Sequence, residues 1–133
     1  MKRCMFVDDS SVIRKVARRI LGGSEMLVIE AENGQRAIDM CMADMPNIIV
    51  VGSTLPDMSA VEIIRQIRAI DSLIVPQIAI CLTEVDIGAI MRAKRAGANG
   101  FILKPFNRAQ LLERFRSLSA AADKSPIASR LSA

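Results

Sequence analysis

The chain has 133 residues, 51% of them apolar, and a formal net charge of +4. That is enough sequence for one domain with a substantial core. It contains no apolar run near the roughly 20 residues of a bilayer span, and its moderately basic balance permits anionic partners without identifying one. Histidine, tryptophan and tyrosine are absent. Ser-His and Cys-His catalysis and a histidine phosphoacceptor are thereby excluded, and four phenylalanines offer a poor stacking platform for single-stranded nucleic acid.

Two periodicities alternate along the chain. RCMFV (3–7) predicts a short buried strand, broken by DDSS. Ser10 or Ser11 can cap a helix with Ile13, Val16, Ala17 and Ile20 on one face, ended at Gly22-Gly23 in the usual C-terminal manner. MLVIEA (26–31) predicts a second strand, and Asn33-Gly34 a turn into a helix over about 35–43. NIIVV (47–51) is a third strand, followed by a helix over about 58–70 with Ala60, Ile63, Ile64, Ile67 and Ile70 inward. Pro76 introduces a fourth strand, QIAICL (77–82), and a helix over about 86–96 stops at Gly97. GFIL (100–103) is the fifth strand, and the last helix, about 107–119, buries Leu111, Leu112, Phe115 and Leu118.

Five apolar strands alternating with five amphipathic helices predict an open parallel α/β sheet covered on both faces. Residues 1–119 form the expected domain, and 120–133 (AADKSPIASRLSA after Ser119) read as a C-terminal tail whose Ile127 and Leu131 can dock on a partner. The opening MKRCMF runs directly into DDS without a long apolar stretch, unlike a signal peptide. Cys4, Cys41 and Cys81 lie far apart in apolar segments with no CxxC pair, which favours reduced buried thiols and a cytoplasmic location.

Ligands of open α/β sheets sit outside the carboxyl ends of the strands. The residues there are Asp8-Asp9 after the first strand, Gly52 after the third, Leu82-Thr83 after the fourth and Lys104-Pro105 after the fifth. Adjacent carboxylates can contribute to a magnesium site, and a lysine on the same rim can neutralise a phosphoryl oxygen. DDS, the LP turn after the third strand, AGANGF and KPF, in this order, resemble the receiver domains of two-component response regulators over residues 2–119. The likeness is greatest to single-domain receivers of the CheY and DivK kind.

The resemblance implies a flavodoxin-like (βα)5 fold with sheet order 2-1-3-4-5. It also implies an aspartate phosphoacceptor at the end of the third strand, with magnesium held there by the acid pair and a backbone carbonyl two residues on. Anchored on Pro56, the phosphoacceptor position is Gly52 and the carbonyl position Thr54; the acid pair is Asp8 and Asp9. Lys104 and Pro105 match the family's Lys-Pro pair, with its typically cis peptide bond, and Phe101 the switch aromatic. Leu82 occupies the switch Ser/Thr position. The family's D-x-x-M-P-x-M-D-G turn reads G-S-T-L-P-D-M-S-A, so Ser59-Ala60 replace Asp-Gly. Glycine cannot accept a phosphoryl group and leucine cannot hydrogen-bond one.

These departures predict an atypical receiver, not an enzyme, that acts as a phosphorylation-independent interaction module for a histidine kinase, phosphotransfer or regulator protein. No cofactor is required. Asp8 and Asp9 either pair with Lys104 or retain weak magnesium binding. Leu82 is expected to fix one arrangement of Phe101. Asp57, five residues past Gly52, is expected to be a solvated turn aspartate; a displaced phosphoacceptor there is one alternative. A second alternative is an anionic ligand, such as a cyclic dinucleotide, bound by Arg14, Lys15, Arg18, Arg19, Arg92 and Arg95; Lys94, Arg108, Arg114 and Arg116 are further cations on the last two helices. DNA binding is disfavoured because no recognition helix after a tight helical turn is present and aromatics are few. No membrane partner is expected.

Overall fold

The computed structural model describes residues 1–123. Ten elements alternate along them. The strands are β1 (Lys2–Val7), β2 (Met26–Ala31), β3 (Ile48–Gly52), β4 (Gln77–Leu82) and β5 (Gly100–Leu103). The helices are α1 (Ser11–Leu21), α2 (Gly34–Ala43), α3 (Ala60–Arg68), α4 (Ile87–Ala96) and α5 (Arg108–Asp123). All strand pairs are parallel, in the order β2-β1-β3-β4-β5. The alternation of elements implied the parallel sheet, and the resemblance to receiver domains implied this flavodoxin-like strand order.

Strand alternation divides the core in two. Met5 and Val7 of β1, Ile49 and Val51 of β3, and Ile78, Ile80 and Leu82 of β4 face α2, α3 and α4. Cys4 and Phe6, Ile48 and Val50, and Ala79 and Cys81 point the other way, toward Ala17 of α1 and Leu111 and Phe115 of α5. The inner strands β3 and β4 are therefore buried at every position, which is why their sequences are unbroken apolar runs.

Several boundaries differ from expectation, each for a local reason. α3 begins at Ala60, because the Ser59 hydroxyl accepts the Glu62 amide at 3.1 Å and caps the helix there. Gly22 does not close α1 in a left-handed conformation: its φ is −67°. It is required by close approach, since a Cβ would lie 2.6 Å from the Arg18 carbonyl oxygen. Gly97 does take the left-handed conformation, at φ 121°, and receives Arg68 against its Cα face. α5 continues to Asp123, four residues past its expected end; Ala120–Ala122 are good helix formers. The rest of the expected tail, with Ile127 and Leu131, lies outside the described residues. No helix among those residues is long and apolar enough to cross a membrane.

All three cysteines are free and buried. Burial pushes the Cys41 and Cys81 thiols up to about 12, and raises Cys4 as well.

Candidate functional site

The ends of β1, β3, β4 and β5 bring Asp8, Gly52, Leu82 and Lys104 together at the carboxyl edge of the sheet. Asp8 follows β1, anchored by its amide to the Ala31 carbonyl at 3.1 Å, and is 1% exposed. One carboxylate oxygen, Oδ1, accepts the Ser10 amide at 2.9 Å. The other, Oδ2, accepts the Lys104 ammonium at 2.7 Å. Lys104 is itself held against β4 by its amide, which donates to the Leu82 carbonyl at 2.8 Å. The pair spans 96 residues of sequence and is buried on both sides.

Gly52 closes β3 beside this ion pair. A Cβ at Gly52 would meet the Val7 carbonyl oxygen at 3.1 Å and Asp8 Oδ2 at 3.4 Å. A side chain there would start beside the carboxylate oxygen that Lys104 engages. Opposite Gly52 in the β3–β4 register is Cys81. Desolvation holds its thiol up near 12, aided by the Asp8 charge and opposed by Lys104. At neutral pH it is protonated and no nucleophile.

Other expected site residues do not reach the pocket centre. Asp9 and Thr54 are exposed on the rim. Among the described residues no cluster of three or more His, Cys, Asp or Glu side chains could hold a metal ion. One oxygen of Asp8 is committed to an ammonium, Asp9 faces solvent, and Gly52 contributes no side-chain oxygen. This donor set does not fit a preformed magnesium site.

Leu82 is buried at the end of β4, and Phe101 packs half-buried against the same apolar cluster. The outer face of the Phe101 ring carries the Arg114 guanidinium, 4.6 Å from its centroid. The aromatic is thus held between a leucine-containing core and a cation. The Lys104–Pro105 peptide bond is cis.

Two readings of the β3–α3 turn need correction. Ser59 is not a change in the pocket. It is the N-cap of α3, with Glu62 three residues on, so the substitution of the turn's Asp-Gly is met by an equivalent cap. Asp57 is exposed but is not simply solvated. Its two oxygens accept the Gly34 and Gln35 amides of α2, each at 2.9 Å. Those bonds hold its carboxyl below the ordinary 3.8. Both oxygens are thus already engaged at α2, which disfavours the displaced-acceptor alternative.

The six candidate cations do not form one surface. Arg14 is largely buried: it donates to the Asp8 carbonyl at 2.5 Å and pairs with Glu30 at 3.1 Å. Arg18 pairs with the same Glu30 at 3.0 Å and donates to the Val28 carbonyl. Lys15 and Arg19 remain exposed on α1, whereas Arg92 and Arg95 are exposed on α4, across the sheet.

Sequence reasoning missed the Asp57–α2 contact, for which one signal was present: α2 has no acidic residue in its first turn to meet its amides. It also missed Arg68, which joins the end of α3 to the Gly97 and Pro76 carbonyls and to Asn99. Nothing in the sequence around Arg68 distinguishes it from the other helical arginines.

Residues 4–116 match the family described as the response regulator receiver domain. The chain is 32% identical over 113 residues to the chemotaxis protein CheY of Bacillus subtilis, covering 84% of this chain and 92% of that protein. It is 29% identical to the CheY of Thermotoga maritima, with coverage of 89% and 98%. Among solved structures, the chemotaxis response regulator CheY4 of Vibrio cholerae superposes with a TM-score of 0.83 at 25% identity, over 89% of this chain and 98% of that one.

Proposed function

Since the chain belongs to the response regulator receiver domain family, we propose that it is a two-component receiver whose strand-mouth pocket does not accept a phosphoryl group, and that it signals by protein contact. The observation that carries this reading is the Asp8–Lys104 pair, closed at 2.7 Å beside a glycine. In this family the phosphoacceptor is an aspartate at the end of the third strand. Here that position has no carboxylate, and the lysine expected to meet a phosphoryl oxygen instead neutralises Asp8. The pocket is balanced by its own charges.

The chain's residues act structurally in this mechanism. Ser10 and Lys104 together satisfy both oxygens of Asp8, which offsets part of the cost of burying it. Leu82 offers no hydroxyl to a ligand and belongs to the apolar cluster against which Phe101 packs. A ligand shifts a conformational equilibrium only through differential contacts with its two states. With acceptor and hydroxyl both absent, phosphoryl chemistry has no such contact to make, and magnesium has no resident role. Partners of the kinase, phosphotransfer or regulator class are then engaged through the surface in the conformation the fold already holds. The separation of the basic residues onto two faces, with Arg14 and Arg18 committed to Glu30, gives no convergent pocket for a cyclic dinucleotide.

The test is a titration with beryllofluoride and magnesium, followed by amide spectra. Unchanged resonances for Gly52, Leu82, Phe101 and Lys104 are expected. Saturable shifts centred on these four residues would contradict the proposal.

A further inference from the structure

We infer that Asp57 is a clasp that makes the loop between β3 and α3 move as one body with the N-terminal end of α2. The clasp rests on packing and hydrogen bonding alone and holds whether or not the neighbouring pocket accepts phosphate.

The seven residues from Ser53 to Ser59 contain no helix or strand. One end is fixed where the Ser53 amide donates to the Cys81 carbonyl at 3.0 Å, the other where Ser59 caps α3. Between these anchors, Asp57 reaches α2. Its Oδ1 accepts the Gly34 amide and its Oδ2 the Gln35 amide, each at 2.9 Å. Asn33 supplies the next bond, accepting the Arg36 amide at 2.8 Å, and its carbonyl takes the Ala37 amide at 3.2 Å. The amides of the first three residues of α2, which have no partner within the helix, are thereby satisfied, two of them from a loop more than 20 residues away. The charge also sits where the helix dipole favours an anion.

Packing locks the same joint. A Cβ on Gly34 would lie 2.5 Å from Met58 Cγ and 2.8 Å from Ile63 Cδ1, so the glycine admits the Met58 side chain and the α3 face directly onto α2. Polar and apolar contacts therefore join the same two elements within two residues of each other. The middle of the loop, at Asp57 and Met58, takes its position from α2. A partner that shifts α2 moves that part of the loop too.

Hydrogen exchange at individual amides, together with the methyl signal of Met58, tests the coupling from both sides. In Asp57→Ala, the Gly34 and Gln35 amides are expected to exchange roughly 10-fold faster, and the Met58 amide and methyl to shift and lose order with them. Asp57→Asn, which retains one acceptor oxygen, should fall between the two. Gly34→Ala, which leaves the carboxylate in place, should perturb the same set of resonances from the α2 side. Acceleration at Gly34 and Gln35 with Met58 unmoved would overturn the inference, since Asp57 would then be only a local cap. Unchanged exchange at Gly34 and Gln35 would overturn it equally.

Discussion

Replacing Lys104 with methionine removes the ammonium from Asp8 while keeping a long apolar stem in place. The side chains of the pair are 1% and 10% exposed, and Asp8 would retain only the Ser10 amide. Leaving one member of a buried ion pair unpartnered costs about 3–5 kcal/mol, within the total of about 5–15 kcal/mol available to a domain. The variant should therefore fold, with much reduced stability. An internal control is the Arg116–Glu113 pair, whose side chains are 72% and 69% exposed; Arg116→Ala should cost less than about 1 kcal/mol. Substituting both members, Asp8→Asn with Lys104→Met, should cost clearly less than the sum of the single changes, because no uncompensated charge remains. Urea unfolding at neutral pH supplies all four values, with a similar slope expected for each protein. If Lys104→Met were no more costly than Arg116→Ala, the pocket would not be held closed by this pair, and the reasoning from charge balance would fail.

Gly52→Asp places a Cβ 3.1 Å from the Val7 carbonyl oxygen and 3.4 Å from Asp8 Oδ2. It should cost about 1–3 kcal/mol by overpacking and give only a partial response to beryllofluoride, which Leu82→Thr added to it should enlarge; a full response from the single change would show that Leu82 is immaterial. Asp57 has a lowered pKa in the fold, so its contribution to stability is present above its ordinary 3.8 and is lost as pH falls through the lowered value. The stability gap between wild type and Asp57→Asn should accordingly narrow in acid, and a gap independent of pH would contradict the assigned hydrogen bonds. The buried, protonated thiols should resist alkylation at neutral pH until the protein unfolds; rapid labelling of Cys81 in native protein would mean that the mouth beside Gly52 is open.

The sequence carried most of the architecture because inner parallel strands must be apolar on both faces. The inner run QIAICL, entered from Pro76, falls on β4 without adjustment, and the edge run GFIL falls on β5 as well. Helix ends were less legible where a cap decided them. The Ser59–Glu62 pattern was present but lay within a helix expected to start at 58, and the alanines after Ser119 suggested a tail although they favour helix. Within the site, local spacing placed Gly52 and Leu82 at strand ends. The choice between a lysine partner and a weakly bound metal for Asp8 depended on a contact across 96 residues, which no local pattern encodes. The same holds for Asp57, whose role depends on how α2 and the β3–α3 loop lie against each other. Arg14 shows the reverse error: helical spacing put it on a basic face, whereas the chain turn at Asp8 offers it a carbonyl and β2 offers it Glu30.

The central claim, that this receiver's pocket does not take up a phosphoryl group, is tested most directly by intact-mass measurement after incubation with acetyl phosphate and magnesium, with peptide mapping of any product. Unmodified protein at all incubation times is the expected result. A phosphoryl adduct on Asp8, Asp9, Asp57 or any residue of the strand-mouth rim would contradict it.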